Sequence, residues 1–142
     1  MGKIVDLMGA LTRDEPRACA GKIIVAEDEF LVRLMLAETL RAAGFIVHEA
    51  LNGEEAISLL TALPHVDAVV TDMHMRTSVD GIAVLEFVRA HQPHVLVLLA
   101  SALSPNGHYF DAVFQKPIEP SQIVVWLKER IADGRAQRVG GG

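Results

Sequence analysis

The chain has 142 residues, 51% hydrophobic and 22% charged, and its 13 basic against 18 acidic side chains give a formal charge of −5. That length encloses one core and leaves no room for a second folded output module. With no block of Lys or Arg there is no basic face for nucleic acid or an anionic membrane, and no apolar run approaches the ~18–20 residues of a membrane span. The single cysteine, Cys19, has no internal disulfide partner, and Asp6 interrupts the short apolar stretch at the start. Neither secretion nor export is indicated, and a cytoplasmic location is expected.

Residues 1–21 carry mixed charge with Pro16 and Gly21 and read as an N-terminal extension, in which Ile4 to Leu11 has the pattern of a short helix. Ile23-Ile24-Val25-Ala26 is a β-branched run that stops at Glu27-Asp28-Glu29, the pattern of a strand buried on both faces. Phe30 to Ala43 reads as a helix ended by Gly44, with Val32, Leu36, Leu40 and Ala43 on one stripe. Arg33, Glu38 and Arg41 fall within an arc of about 140° opposite, and Leu31 and Leu34, inside or beside that arc, are surplus to the core.

Next come a strand over Ile46 to Ala50, an Asn52-Gly53 turn, a helix over Glu54 to Ala62, and a strand Ala68 to Thr71 that ends at Asp72. After an irregular loop, Gly81 to His91 is helical, Val95 to Ala100 and Val113 to Gln115 are strands, and Glu119 to Ala132 is the last helix. Residues 22–132 thus form the folded domain, and the Gly-rich 133–142 reads as a flexible tail. Five strands alternating with helices predict an α/β fold with a doubly wound parallel sheet, whose ligands bind at the carboxyl ends of the strands.

At those ends stand Glu27 and Asp28, Asp72, Ser101, and Lys116-Pro117. Any one of these acids alone is accounted for as a helix N-cap, whereas five such groups on one sheet edge are not. Clustered carboxylates repel unless a cation neutralises them, and an all-oxygen site with few protein ligands suits Mg²⁺. A carboxylate beside Mg²⁺, with an ammonium and a hydroxyl in reach of phosphoryl oxygens, is what an aspartyl-phosphate acceptor requires. Asp72, at the end of the central strand, is the candidate nucleophile.

In this order and at these strand ends the residues resemble the response-regulator receiver domain of two-component signalling, a flavodoxin-like fold, over about Lys22 to Ala132. The resemblance rests on Glu27-Asp28, on Asp72 in the TDMHM segment 44 residues after Asp28, on Asp80-Gly81, on Ser101-Ala102 and on Lys116-Pro117. It implies that Asp72 accepts a phosphoryl group from the histidine of a sensor kinase or phosphotransfer protein. By the same resemblance Asp28, Asp72 and the backbone carbonyl of His74 ligate Mg²⁺, and Glu27 acts through a water. Lys116 pairs with the carboxylate and then the phosphoryl group, Ser101 bonds a phosphoryl oxygen, and the Lys116-Pro117 bond is cis.

Two features depart from the family. Arg76 follows Met75 where a proline is usual, in a loop that looks one residue long. Only 14 residues separate Ser101 from Lys116, interrupted by Pro105-Asn106-Gly107, so the fourth helix is expected to be short or absent. Val113 holds the place of a family aromatic, and Tyr109 and Phe110 nearby read as loop anchors rather than as its substitute. The six histidines show no metal spacing, and Trp126 sits at the rim of a packing stripe of Ile123, Val124, Leu127 and Ile131. The expected function is a stand-alone receiver with no enzyme activity beyond its own slow aspartyl-phosphate transfer and hydrolysis. The alternatives are a phosphorylation-independent interaction module of the same fold and, less well matched because Asp72 has no acid two residues on, a phosphohydrolase of the DxDxT kind.

Overall fold

The structure is a computed structural model that describes residues 19–102 and 109–141, with the backbone alone for 135–141. Its elements are β1 (Gly21–Ala26), α1 (Phe30–Ala42), β2 (Phe45–Ala50), α2 (Gly53–Ala62), β3 (Ala68–Thr71), α3 (Gly81–His91), β4 (Leu96–Ser101), β5 (Ala112–Gln115) and α4 (Pro120–Gly141). The five strands pair in parallel in the order β2-β1-β3-β4-β5, so the chain winds outward from β1 in both directions. This is the expected doubly wound sheet, with four helices among the described residues.

Period-two alternation divides the strand side chains between two cores. Ile23 and Val25 of β1, Ala68 and Val70 of β3, and Leu98 and Ala100 of β4 meet Leu36, Leu40, Ile123 and Leu127 from α1 and α4. Ile24 and Ala26, Val69, and Val97 point the other way, onto Ala56, Leu60, Val84 and Val88 from α2 and α3. Both faces of the central strands are buried, which is why they read as continuous apolar runs rather than alternating ones.

Local chemistry sets the helix ends. Gly44 ends α1 with a φ of 100°, a left-handed conformation that a side chain disfavours. Asn52 and Asp80 cap α2 and α3 by accepting from the Glu55 and Ala83 amides at 2.9 and 3.0 Å. Gly81 brings α3 close beneath the end of β3, where a Cβ would lie 2.5 Å from the Asp72 carbonyl oxygen.

Two sequence expectations are corrected. Arg33, assigned to the polar arc of α1, is 7% exposed, because its long side chain folds back onto groups outside its own helix. The last helix does not stop at Ala132 but runs on to Gly141, since Arg135 to Val139 contains good helix formers and a single glycine at position 134 costs only about 1 kcal/mol. Leu31 is exposed and Leu34 half-buried, and Trp126 packs half-buried against the α1/α4 core, as expected. Between β4 and β5, Ala102 and Tyr109 to Asp111 are not helical. The rest of the expected short or absent helix, residues 103–108, lies outside the described residues. So do residues 1–18, and with them the expected helix at Ile4 to Leu11.

Candidate functional site: an acidic pocket at the carboxyl edge of the sheet

Parallel strands deliver their last residues to one edge. In the β1 and β3 register Ala26 stands beside Thr71, so the residues that follow, Glu27-Asp28 and Asp72, emerge side by side. Carboxylate oxygens of Glu27, Asp28 and Asp72 lie within 4.8 Å of one another. Lys116, directly after β5, reaches across to them and donates from Nζ to Glu27 Oε1 at 3.0 Å and to Asp72 Oδ2 at 3.2 Å. The peptide bond from Lys116 to Pro117 is cis.

One ammonium does not neutralise three carboxylates. Burial first, and the adjacent Asp72 carboxylate next, push the Glu27 carboxyl from 4.5 up to about 7, against the pull of Lys116. Burial also disfavours the charged form of Lys116, but its bonds to Glu27 and Asp72 outweigh that and raise its pKa. Glu27 is 2% exposed, and its second oxygen, Oε2, is buried with no hydrogen-bond partner among the described residues. An orphaned buried carboxylate oxygen beside two further hard oxygen donors fits a small divalent cation that keeps part of its water shell.

The loop after Asp72 is tied back at both ends. The Met73 amide donates to Asp72 Oδ1 at 2.7 Å, and the Gly81 amide donates to the Met73 carbonyl at 3.0 Å. His74 follows on this loop with its side chain exposed. Arg76, where the family has proline, places Nε 3.5 Å from Asp28 Oδ2 while its side chain stays 86% exposed. Ser101 ends β4, 2% exposed, and its carbonyl accepts from the Lys116 amide at 3.0 Å.

Arg33 is the site neighbour that periodicity missed. Its Nη1 donates to the Glu27 carbonyl at 2.8 Å, and its Nε meets Glu49 Oε1 of β2 at 3.2 Å. The available signal was Glu49, an acid in a largely apolar strand, which calls for a cation from a neighbouring element.

Comparison with known proteins bears on this geometry. The sequence pattern described as Response regulator receiver domain matches residues 23–127. The chain is 29% identical over 137 residues to sensor kinase CckA of Brucella abortus, covering 91% of this chain and 13% of that protein. It is 25% identical over 116 residues to chemotaxis protein CheY of Thermotoga maritima, covering 76% of this chain and 95% of that one. The chain spans a quarter or less of the length of the first curated relatives it matches. Among solved structures, the receiver domain from hybrid histidine kinase CckA superposes with a TM-score of 0.66 at 30% identity, covering 78% of this chain and 99% of that one. TrrA of Thermotoga maritima, solved in complex with Mg(2+)-BeF, superposes with a TM-score of 0.69 at 24% identity, covering 77% and 97%. With its doubly wound sheet and its acids and lysine gathered at one edge, the chain belongs to the response regulator receiver domain family of two-component signalling.

Proposed function

We propose that the chain accepts a phosphoryl group on Asp72 from a phosphohistidine of a sensor kinase or phosphotransfer protein, and that it works as a signalling switch or phosphorelay intermediate. The observation that carries this reading is the Lys116 ammonium shared between Asp72 and Glu27 in a pocket with surplus negative charge. Asp28 and Asp72 would hold Mg²⁺ with the His74 carbonyl, and Glu27 through a water; when bound, the ion supplies positive charge to the oxygens of the transferring group. The Mg(2+)-BeF complex of TrrA, a protein of the same fold, accords with that choice of metal.

An Asp72 carboxylate oxygen attacks phosphorus, the P–N bond of the donor breaks, and its electron pair returns to the imidazole nitrogen. Lys116 moves its hydrogen bond from the carboxylate to a phosphoryl oxygen, and the Ser101 hydroxyl donates to another. The chain is an acceptor, not a catalyst acting on a separate substrate, and it is regenerated by hydrolysis of its own acyl phosphate. Among the described residues no helix is long and apolar enough to cross a membrane, which is compatible with a cytoplasmic donor.

The test uses phosphoramidate, a small donor with the same P–N bond. Uptake of phosphate that requires Mg²⁺ and stops with chelator supports the acceptor role. A chain that takes up none under these conditions is instead a phosphorylation-independent interaction module.

A further inference from the structure

The turn that carries Glu27 and Asp28 needs a restraint that α1 itself does not provide. Its N-cap residue, Glu29, makes no side-chain capping bond, unlike Asn52 and Asp80 on α2 and α3. Arg33, in the first turn of the helix, supplies the restraint. Its Nη1 holds the Glu27 carbonyl at 2.8 Å and its Nε holds Glu49 Oε1 at 3.2 Å. Glu49 is steadied in turn by Arg41, whose Nη2 lies 3.2 Å from Glu49 Oε2 and donates to the Val47 carbonyl at 3.0 Å. The chain of contacts Arg41–Glu49–Arg33 thus runs from β2 to the backbone of the acidic turn.

We propose that Arg33 is a positioning residue of the metal and phosphoryl site, holding the Glu27-Asp28 turn where its carboxylates face Asp72. The inference rests on the function proposed above. Burying a guanidinium is unfavourable unless its donors are used, and here two edges of the fork engage two different elements. A lysine, with a single compact ammonium, can satisfy the carbonyl or Glu49 but does not span both as the fork does.

The test compares the full-length chain with Arg33→Gln, Arg33→Lys and Glu49→Gln, titrating Mg²⁺ alone by calorimetry and following phosphate uptake from acetyl phosphate across Mg²⁺ concentrations. Arg33→Gln is expected to weaken Mg²⁺ binding by about tenfold, the loss typical of a group that orients metal ligands. Its uptake rate should recover to near the parental value at saturating Mg²⁺, and Arg33→Lys should fall between. Glu49→Gln, which loosens the brace without removing Arg33, should weaken binding in the same direction and carries the test if Arg33→Gln does not fold. Parental Mg²⁺ affinity in both Arg33→Gln and Glu49→Gln overturns the role of Arg33 alone. A parent chain that binds no Mg²⁺ overturns the proposed function, and this inference with it.

Discussion

The Lys116 ammonium stands 3.2 Å from Asp72 Oδ2 although the two residues follow β5 and β3, which are separated by β4 in the sheet. The side chain therefore crosses the end of β4, where Ser101 is buried. That path brings the cation to the acceptor carboxylate past the strand end that carries Ser101.

Replacing Lys116 by Gln should slow phosphate uptake from acetyl phosphate at saturating Mg²⁺ by on the order of a hundredfold, the usual loss when one preorganised donor to a developing anion is removed. Single-turnover rates measure it directly, and a parental rate would take Lys116 out of the transfer step.

Asp28→Ala should weaken metal binding while leaving the fold intact. Among the described residues Asp28 pairs with the exposed Arg76 at 3.5 Å, a contact worth under about 1 kcal/mol, and its removal relieves repulsion from Glu27 and Asp72. Thermal midpoints in chelator should be unchanged or higher, and Mg²⁺ affinity should drop by more than about tenfold. Unchanged Mg²⁺ binding would place the cation elsewhere.

Stability without metal should depend on pH through Glu27. Its folded pKa is raised from 4.5 to about 7, so the folded state binds the proton more tightly than the unfolded chain. The stability this contributes is fully present below pH 4.5 and is lost as pH rises through about 7, on the order of 3 kcal/mol across that window. The midpoint in chelator should fall across the same window by roughly 3–5 °C per kcal/mol, and Glu27→Gln should flatten this component. Mg²⁺ competes with the same proton, so its affinity should rise with pH and level off above about 7. A metal-free midpoint that rises over that window would contradict the pKa direction.

Phe30, Leu31 and Met35 at the start of α1 are 59%, 72% and 41% exposed, next to the acidic turn. Such apolar surface beside the acceptor suits a helical phosphohistidine donor. Leu31→Ser with Met35→Ser should slow transfer from the protein donor by tenfold or more, about 1.4 kcal/mol of docking energy, and leave acetyl phosphate uptake unchanged. Equal slowing with both donors would show damage to the site itself.

What was legible in the sequence is what local pattern determines. The runs Ile23 to Ala26 and Ala68 to Val70 are readable because a strand buried on both faces carries continuous apolar residues, and the limits of α3 follow from Asp80, Gly81 and the loop beyond His91. Glu27, Asp28, Asp72 and Lys116 are found at strand ends because the topology brings those ends together. Arg33 was misplaced because a helical wheel locates a Cβ, not the end of a long side chain whose partners, Glu49 and the Glu27 carbonyl, belong to other elements. The continuation of α4 past Ala132 was hidden by its glycines, which signal a tail more strongly than the intervening helix formers signal a helix.

The most direct measurement is the position of the acyl phosphate. After incubation with acetyl phosphate and Mg²⁺, borohydride reduction converts a phosphorylated aspartate to homoserine, which peptide mass mapping locates. Homoserine at position 72, absent from Asp72→Asn and from samples with chelator, is the result that follows from Asp72 as acceptor. Homoserine at another aspartate, or none in a parent chain that binds Mg²⁺, would contradict it.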